Sequence, residues 1–494
     1  MSAATIHKGG AGERLMQVKT KIIATVGPAC AKPAKLEELV KAGVDVFRLN
    51  FAHGSHEWLT EVVGHIREIS SRLGRPLGIL GDLSGPKIRL NELPQGVLDC
   101  VAGMRVEFVR QADPLQPSHL TCTYSALVDD LQVGDLILRA DGAVSMRVVE
   151  KPLSADRVVC EVIQPGTIRN RQGINLPGAI LSTPSLTPKD RLDLVWALEH
   201  QIDFIGLSFV RRAEDIEELQ QAIADHNPPV VPQIVAKIEK IEAVNDLERI
   251  LVATDMVMVA RGDLGVEVDI ARVPGLQKRI IRLCNQHRIP VITATQMLDS
   301  MQKNSRPTRA EASDVANAVL DGSDAIMLSG ESAAGDYPVE AVSMMNRLAH
   351  EAERLRVHQS PPDINLAHVR TRALEVTEAV THGAGMVAEM LEANLIVVAT
   401  RTGKTALSIS NQRLKVPILG LTPDPHVANK MSLFWGVTPL IADLTNSTPQ
   451  QILDFVVQWG QNDGVLRSGS KVVLIAASNW SARGHDQLLV HAIP

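Results

Sequence analysis

The sequence predicts an α/β protein built on a parallel (β/α)₈ barrel. A small β-barrel domain is inserted in one barrel loop, and a separate α/β domain follows at the C terminus. Eight short apolar runs alternate with helical patterns, the interval between the third and fourth runs is long and rich in valine, and strand–helix alternation resumes after about residue 350. Eight is the number of strands that closes a barrel of this kind.

The apolar runs have the length of strands, and most segments between them carry helix signals. Gly43 follows "KPAKLEELVKA" as a C-terminal cap, and "ARVPGLQKRIIRLCNQHR" spaces its apolar residues by three and four. We expect the barrel to occupy residues 18–86 and 174–350, after an N-terminal tail of residues 1–17. The runs are "KIIATVG", "VDVFRLNF", "PLGILGDL", "DFIGLSFV", "PQIVAKIE", "DMVMVARGD", "PVITATQM" and "DAIMLSGES".

The long interval, residues 87–173, contains short alternating runs divided by Gly and Asp, such as "VGDLILRADGAVSMRVVE". This pattern is typical of a small β-barrel or sandwich. Beyond a linker near "SPPDIN", the runs "NLIVVAT", "VPILGLT" and "KVVLIAAS" predict the C-terminal α/β domain, residues 351–494.

The composition excludes several classes of protein. Only 3% of residues are aromatic and the net charge is −6, which argues against a nucleic-acid partner. No apolar run approaches the roughly 18 residues of a membrane span, and the start lacks the apolar core of a signal peptide. The five scattered cysteines form no C-x-x-C pair. We expect a cytoplasmic protein.

Polar residues stand at the ends of the predicted strands, where the active sites of β/α barrels lie. Lys237 and Glu239 share one face of the fifth strand. A single Lys–Glu pair at one strand end is more often a structural salt bridge. Seven polar strand ends on one rim would instead form a site. They carry Thr25; Arg48, Asn50 and His53; Asp82 and Lys87; Lys237 and Glu239; Arg261 and Asp263; Thr295; and Ser329 and Glu331.

These side chains indicate a chemistry. Glu239 and Asp263 offer hard oxygen ligands for Mg²⁺ or Mn²⁺. Lys237 and Arg48 are cations suited to a phosphoryl group in transfer. The region of Gly262 and Thr295 offers backbone N–H groups and a hydroxyl to a carboxylate. Together they predict a substrate that carries both phosphate and carboxylate.

The motifs "TVGPA", "FRLNFAHG", "GPKIR", "AKIE", "ARGDLGVE", "ATQML" and "LSGESAAGDYP", in this order, resemble the pyruvate kinase family across nearly the whole chain. The resemblance implies a barrel, an inserted lid and a C-terminal domain. It also implies phosphoryl transfer from phosphoenolpyruvate to ADP, which gives pyruvate and ATP in glycolysis, and a homotetramer.

The resemblance also implies roles at matching positions. Lys237 and Arg48 would bind the transferring phosphoryl group, and Glu239 and Asp263 the divalent metal. The carboxylate end would bind Gly262, Asp263 and Thr295. Thr295 would lie near the proton delivered to the enolate, and Ser329 would join Glu331 in a water relay.

The nucleotide-side contacts implied by the resemblance are Thr25, Asn50, His53, Arg89 and Lys189. Each of two residues also has a simpler interpretation. His53 could be an ordinary loop histidine, and Lys189 a solvated charge at a helix start. Lys240 is expected to point away from the site and to be solvated.

One departure concerns a monovalent cation. Many pyruvate kinases hold K⁺ with hydroxyl residues balanced by a Glu in "GPEIR". This chain keeps Asn50 and Asp82, but Ala52 and Leu83 replace the hydroxyls and Lys87 replaces the Glu. A tethered cation disfavours a bound K⁺. The sequence resembles the K⁺-independent, lysine-containing branch, so we expect no K⁺ requirement.

In the C-terminal domain, "RTGKT" lies between a strand and a predicted helix. It is not a Walker A loop, because Val398 occupies the position of the first required Gly. A helix start of this kind can still bind phosphate, and in the family this region receives phosphorylated effectors. The expected effector residues are Thr400, Thr402, Lys404 and Thr405.

Two alternatives remain at this point. A barrel enzyme that makes or breaks C–C bonds of phosphoenolpyruvate or pyruvate would share the metal and carboxylate sites without the nucleotide contacts. A non-catalytic metabolite sensor would not need Lys237, Glu239, Asp263 and Arg48 together.

Overall fold

The structure is a computed structural model. It describes residues 12, 15, 18–93, 95–113, 116, 118–139, 142–152, 156–179, 181–356, 375–478 and 484–494. The predicted linker "SPPDIN", and all of the predicted tail except positions 12 and 15, lie outside the described residues.

Eight parallel strands close a barrel, which confirms the predicted fold class. Around the ring the strands follow the order first, eighth, seventh, sixth, fifth, fourth, third and second, and the second pairs with the first. Each predicted apolar run contains one strand. The strands are Lys21–Thr25, Val46–Asn50, Gly78–Asp82, Phe204–Leu207, Gln233–Ile238, Met256–Ala260, Val291–Ala294 and Ala325–Leu328.

Helices connect the barrel strands, and their ends follow from local sequence. Pro33 occupies the first turn of the first of these helices, and Gly43 ends it with φ +126°, a conformation that favours glycine. The helices are Pro33–Ala42, His56–Leu73, Pro188–Glu199, Ala213–His226, Ile241–Asn245, Leu247–Ala253, Arg261–Glu267, Val273–His287, Arg309–Asp321, Gly330–Ala333 and Pro338–Arg356, with 3₁₀ turns at Ile270–Arg272 and Asp299–Gln302.

The insertion after the third barrel strand is β-rich, as its alternating pattern predicts. Its strands form a six-stranded and a two-stranded sheet, and their apolar side chains share one core. The exact domain boundaries stay predictions. The elements are strands Val97–Cys100, Arg105–Val109, His119–Leu120, Leu136–Arg139, Val144–Glu150, Arg157–Gln164, Gly166–Arg169 and Ile174–Asn175, and the short helix Leu127–Asp130.

The C-terminal region is a five-stranded sheet with helices, parallel except for its last strand. It packs on the amino-terminal end of the barrel, where the Lys21 ammonium donates to the carbonyl of Val437 at 2.6 Å. The elements are strands Leu395–Ala399, Ile418–Thr422, Val437–Ile441, Lys471–Ala476 and Gln487–Ala492, and helices Glu375–Met390, Lys404–Ser410, Pro425–Met431 and Pro449–Asn462.

Within the described ranges, no helix combines the length and the apolarity needed to cross a membrane. All five cysteines are free.

Candidate active site

The carboxyl ends of the barrel strands surround a cleft with about 400 Å³ of empty space. Parallel strands end on one rim, so side chains far apart in sequence meet there. Six of the predicted residues line the cleft, together with residues the sequence analysis did not select. The lining residues are Arg48, Lys87, Ser208, Phe209, Lys237, Glu239, Met258, Ala260, Asp263, Thr295 and Met327.

Lys237 lies at the centre of a buried polar network. Its ammonium is 2.9 Å from Oε1 of Glu239 and 3.3 Å from Oδ2 of Asp82. It also donates to the hydroxyl of Ser208 at 2.6 Å. An ammonium has three protons, so this network directs all three within the rim.

The charges of the network sustain one another. Burial by itself would lower the pKa of Lys237, but the carboxylates of Asp82 and Glu239 outweigh burial and raise it. Burial would raise the pKa of Asp82, but Lys237 and Arg48 hold it below its usual value. The site therefore keeps a buried ammonium charged at neutral pH.

Arg48 is fixed from two strands. Its guanidinium donates through Nε to Oδ2 of Asp82 at 2.7 Å and through Nη1 to the hydroxyl of Thr25 at 3.1 Å. Thr25 is buried and donates in turn to the carbonyl of Leu328 at 2.8 Å. Thr25, predicted as a nucleotide contact, thus holds Arg48 in this structure.

Glu239 and Asp263 both face the cleft. Oε2 of Glu239 accepts the backbone N–H of Phe209 at 2.9 Å. Burial raises the pKa of Glu239, Lys237 opposes this, and the carboxylate of Asp263 adds to it. Two neighbouring carboxylates that repel each other fit a divalent cation, which would neutralise both.

No group of three or more His, Cys, Asp or Glu side chains in the described part of the chain has the geometry of a metal site. Mg²⁺ is commonly held by one or two carboxylates together with waters and substrate oxygens. The donor set at the rim therefore fits a cation that completes its coordination with an anionic substrate.

Thr295 stands on a strained turn after the seventh strand. Its φ is +66°, which is unusual for a β-branched residue. Its hydroxyl donates to the carbonyl of Ala294 at 2.7 Å and accepts the N–H of Gly262 at 2.8 Å. The buried guanidinium of Arg261 donates to the Thr295 carbonyl at 2.7 Å. The Gly262 N–H, predicted to hold a carboxylate, is engaged by Thr295 here.

Ser329 and Glu331 follow the eighth strand. The carboxylate of Glu331 accepts the backbone N–H groups of Leu298 at 3.0 Å and of Ser329 at 2.8 Å, and burial raises its pKa. The Ser329 hydroxyl is buried and has no hydrogen-bond partner among the described residues. Glu331 thus ties the loops after the seventh and eighth strands together.

Asn50, His53 and Arg89 lie outside the cleft lining. The side-chain oxygen of Asn50 accepts the N–H of Ala52 at 3.1 Å, and His53 is exposed. Arg89 is exposed and donates to the carbonyl of Arg171 at 3.2 Å. Arg89 therefore belongs to the connection between barrel and insertion.

Lys189 is also outside the cleft lining. Its ammonium donates to the carbonyl of Phe51 at 2.7 Å and to Oδ2 of Asp193 at 2.6 Å. Oδ1 of the same aspartate lies 2.9 Å from His56 Nε2. Lys189 thus braces the loop after the second strand, and its third proton stays available to a ligand.

Lys87 is exposed where the chain leaves the barrel for the insertion, and it lines the cleft. Its ammonium makes no ion pair within the part of the chain that the structure describes. Leu83 is buried and apolar, so it offers no side-chain oxygen to a monovalent cation. The arrangement puts a free cation at the cleft.

The C-terminal effector residues lie around the helix Lys404–Ser410. The Thr400 hydroxyl accepts the N–H of Gly403 at 3.1 Å. The Thr405 hydroxyl is 2.8 Å from Nδ1 of His485, a buried residue that the sequence analysis did not select. Lys404 and Thr402 are exposed. Part of the neighbouring "SNWSARGHDQ" loop, residues 479–483, lies outside the described residues.

Ser208 and Phe209 were missed, although they follow the fourth barrel strand and obey the same strand-end rule as the others. The expectation for Lys240 was wrong in one respect. Lys240 does point away from the cleft, but it is buried and paired with Glu267 rather than solvated. Its partner lies on a different segment, which no local pattern indicates.

The barrel region and the C-terminal region each match a known protein family. The family model described as the barrel domain of pyruvate kinase matches residues 17–342, and the one described as its alpha/beta domain matches residues 378–491.

Two relatives match almost the whole chain. A pyruvate kinase from Geobacillus stearothermophilus is 41% identical over 479 residues, which cover 97% of this chain and 81% of the relative. A pyruvate kinase 2 from Synechocystis sp. is 40% identical over 481 residues, which cover 95% of this chain and 78% of the relative. The crystal structure of a pyruvate kinase from Cryptosporidium parvum matches with a TM-score of 0.88 at 34% identity, and the match covers 98% of each chain.

Proposed function

The chain belongs to the pyruvate kinase family, and we propose how its residues carry the reaction. The enzyme is a phosphotransferase that acts on phosphoenolpyruvate and ADP, and the family requires a divalent metal. The two alternative functions do not account for a match that runs through barrel and C-terminal domain alike. The single observation that carries the mechanism is the buried Lys237 network at the rim.

Lys237 and Arg48 stabilise the transferring phosphoryl group. The P–O bond of phosphoenolpyruvate breaks as a terminal oxygen of ADP forms the new P–O bond, and negative charge spreads over the phosphoryl oxygens. Asp82 holds both cations and keeps Lys237 charged. Fixed cations need no reorganisation in the transition state, so they act mainly on the rate of transfer.

Glu239 and Asp263 hold the divalent metal, Mg²⁺ or Mn²⁺. When bound, the metal supplies positive charge to the phosphate and carboxylate oxygens of the substrate. The chain's own contribution is to hold the two carboxylates: Phe209 donates to Glu239, and the helix Arg261–Glu267 carries Asp263.

The backbone N–H groups of Gly262 and Asp263, in the first turn of the helix that carries them, and the hydroxyl of Thr295 bind the carboxylate end of the substrate. This proposal requires the Thr295 hydroxyl to turn its proton from the Ala294 carbonyl to the substrate carboxylate. It also requires the Gly262 N–H to leave the Thr295 oxygen for the same carboxylate. The enolate left after transfer takes a proton on carbon and becomes pyruvate. Ser329 takes part in delivering that proton through water, and its unpartnered hydroxyl supports this role.

Thr25, Asn50, His53, Arg89 and Lys189 form the nucleotide side. The free proton of Lys189 and the exposed ring of His53 support direct contact with ADP. Thr25 acts through Arg48 instead, because its hydroxyl is already engaged there.

Lys87, together with Asn50 and Asp82, which pair at the ends of neighbouring strands, replaces the monovalent cation, and the enzyme belongs to the K⁺-independent branch. A tethered ammonium at the cleft supports this proposal. Lys87→Glu reverses the local charge by two units and is expected to cut kcat sharply; unchanged turnover would exclude the role.

Regulation and assembly are further proposals. We infer that a phosphorylated metabolite binds near Thr400, Thr402, Lys404 and Thr405, and that the enzyme is a cytoplasmic homotetramer. Lys404→Ala with Thr405→Ala is expected to abolish activation by phosphorylated sugars or nucleotides and to spare unactivated turnover. If none of these metabolites alters the wild-type substrate curve, the regulatory proposal fails.

A coupled assay tests the proposed function directly. Pyruvate formation from phosphoenolpyruvate is expected with ADP and Mg²⁺, and not when either is omitted. Pyruvate released at the same rate without ADP would contradict phosphoryl transfer to the nucleotide.

A further inference from the structure

Lys240 is buried and does not line the cleft, although its neighbour Glu239 faces into it. The backbone is extended at Lys240 (φ −115°, ψ 148°), so adjacent side chains point to opposite sides. Lys240 is 8% exposed, and its ammonium forms an ion pair with Glu267. Burial of two charges is costly and is not in itself a source of stability. The buried pair therefore indicates a role other than stability.

The ion pair joins the two segments that carry the proposed metal ligands. Lys240 directly follows Glu239 in the chain. Glu267 is the last residue of the helix Arg261–Glu267, and Asp263 lies one turn earlier on the same helix. A bond between Lys240 and Glu267 therefore fixes the end of the fifth strand relative to the helix that bears Asp263.

A second contact runs through Phe209. The Lys240 ammonium lies 5.7 Å from the centroid of the Phe209 ring, within the range of a cation–π contact. The backbone N–H of Phe209 donates to Oε2 of Glu239 at 2.9 Å. Phe209 has φ +57°, a strained conformation that persists only when the surroundings hold it. Lys240 is one of those surroundings.

We propose that Lys240 is a positioning residue for the divalent metal. Its ion pair with Glu267 and its contact with Phe209 set the separation and orientation of Glu239 and Asp263. This inference rests on the proposed function, since it takes these two carboxylates as the metal ligands. Lys240 itself does not line the cleft.

The first test is Mn²⁺ binding to the enzyme without substrates, measured as free Mn²⁺ by electron paramagnetic resonance. Lys240→Met keeps the length of the side chain and removes its charge. It is expected to weaken Mn²⁺ binding about tenfold, as loss of an outer support of a metal site commonly does. At saturating metal, kcat is expected to stay within about threefold, because the ligands themselves remain.

A matched set of variants separates positioning from stability. Lys240→Met leaves a buried carboxylate unpaired, and Lys240→Met with Glu267→Leu removes both charges. The double variant is expected to regain thermal stability but to bind Mn²⁺ as weakly as the single one. Arg413→Met breaks another buried pair, with Asp324, and is expected to lower Tm without changing Mn²⁺ affinity. Wild-type Mn²⁺ affinity in both Lys240 variants would overturn the inference.

Glu239→Gln distinguishes this inference from the proposed function. If Glu239→Gln weakens Mn²⁺ binding and Lys240→Met does not, the positioning role is excluded while the metal ligands stand. If Glu239→Gln leaves Mn²⁺ binding unchanged, the proposed ligands are wrong and the inference falls with them.

Discussion

The rim of the barrel and the core of the inserted domain both bury a cation, but only the rim supplies partners. Lys237 lies among Asp82, Glu239 and Ser208. Arg139, on a strand of the insertion, is 0% exposed, and in the described residues none of its three guanidinium nitrogens has a hydrogen-bond partner. The two regions thus test what a buried charge costs with and without compensation.

The pKa values move in opposite directions. The two carboxylates raise the pKa of Lys237 despite burial, whereas burial lowers the pKa of Arg139 to about 10. Partners, rather than depth of burial, decide whether the charged form is favoured. The rim can therefore hold charge ready for chemistry, while the insertion carries a charge that opposes its own folding.

The largest expected effect comes from removing the rim's central charge. Lys237→Ala is expected to lower kcat at least ~10³-fold, because the ammonium acts mainly on the transition state. The fold is expected to persist, since Arg48 still pairs with Asp82. Steady-state kinetics and thermal unfolding measure both, with Lys278→Ala, at an exposed ion pair, as the control. A kcat within tenfold of wild type would contradict the catalytic role.

Replacing the unpartnered cation is expected to improve a property of the protein, its stability, whereas removing the partnered cation lowers activity. Arg139→Met is expected to stabilise the inserted domain by about 1–4 kcal/mol, the range seen when even paired buried charges are replaced by apolar side chains. Hydrogen exchange of the insertion measures this change in stability. The control is Arg147→Met, at an exposed position of the neighbouring strand Val144–Glu150. Faster exchange in the Arg139 variant would show that the guanidinium has a partner after all.

A smaller effect is expected from thinning the rim network. Ser208→Ala removes one of the three acceptors of Lys237 and is expected to lower kcat about tenfold, as loss of a hydrogen bond to a charged group does. Ser323→Ala, at a buried serine bonded to Thr293, is the control for loss of a buried hydroxyl. Equal kcat values in the two variants would exclude a contribution of Ser208 to catalysis.

The smallest expected effect is an absence of change. The rate of the wild-type enzyme is expected to vary less than about twofold between KCl and a tetramethylammonium salt at constant ionic strength, because Lys87 supplies a tethered positive charge. The titration needs Mg²⁺ and buffers free of Na⁺ and K⁺. A large K⁺-specific activation would sink the K⁺-independent proposal.

Local sequence signals were sufficient to predict the barrel and much of the rim. Strand periodicity, glycine caps and turn residues are local signals, and they located all eight strands. Because parallel strands of a barrel end on one rim, the fold class alone predicts that Lys237, Glu239 and Asp263 lie close together. The roles carried over by resemblance, including those of Ser329 and the nucleotide-side residues, stay predictions.

The hydrogen-bond and ion-pair partner of each polar group could be identified only from the folded chain. Lys240 pairs with a glutamate 27 positions away, and Thr405 bonds a histidine 80 positions away. The Gly262 N–H and the Thr25 hydroxyl, expected to face ligands, are engaged within the chain. Local sequence sets which backbone conformation a segment prefers. The partner of a buried charge instead depends on how distant segments pack, and no short pattern encodes that.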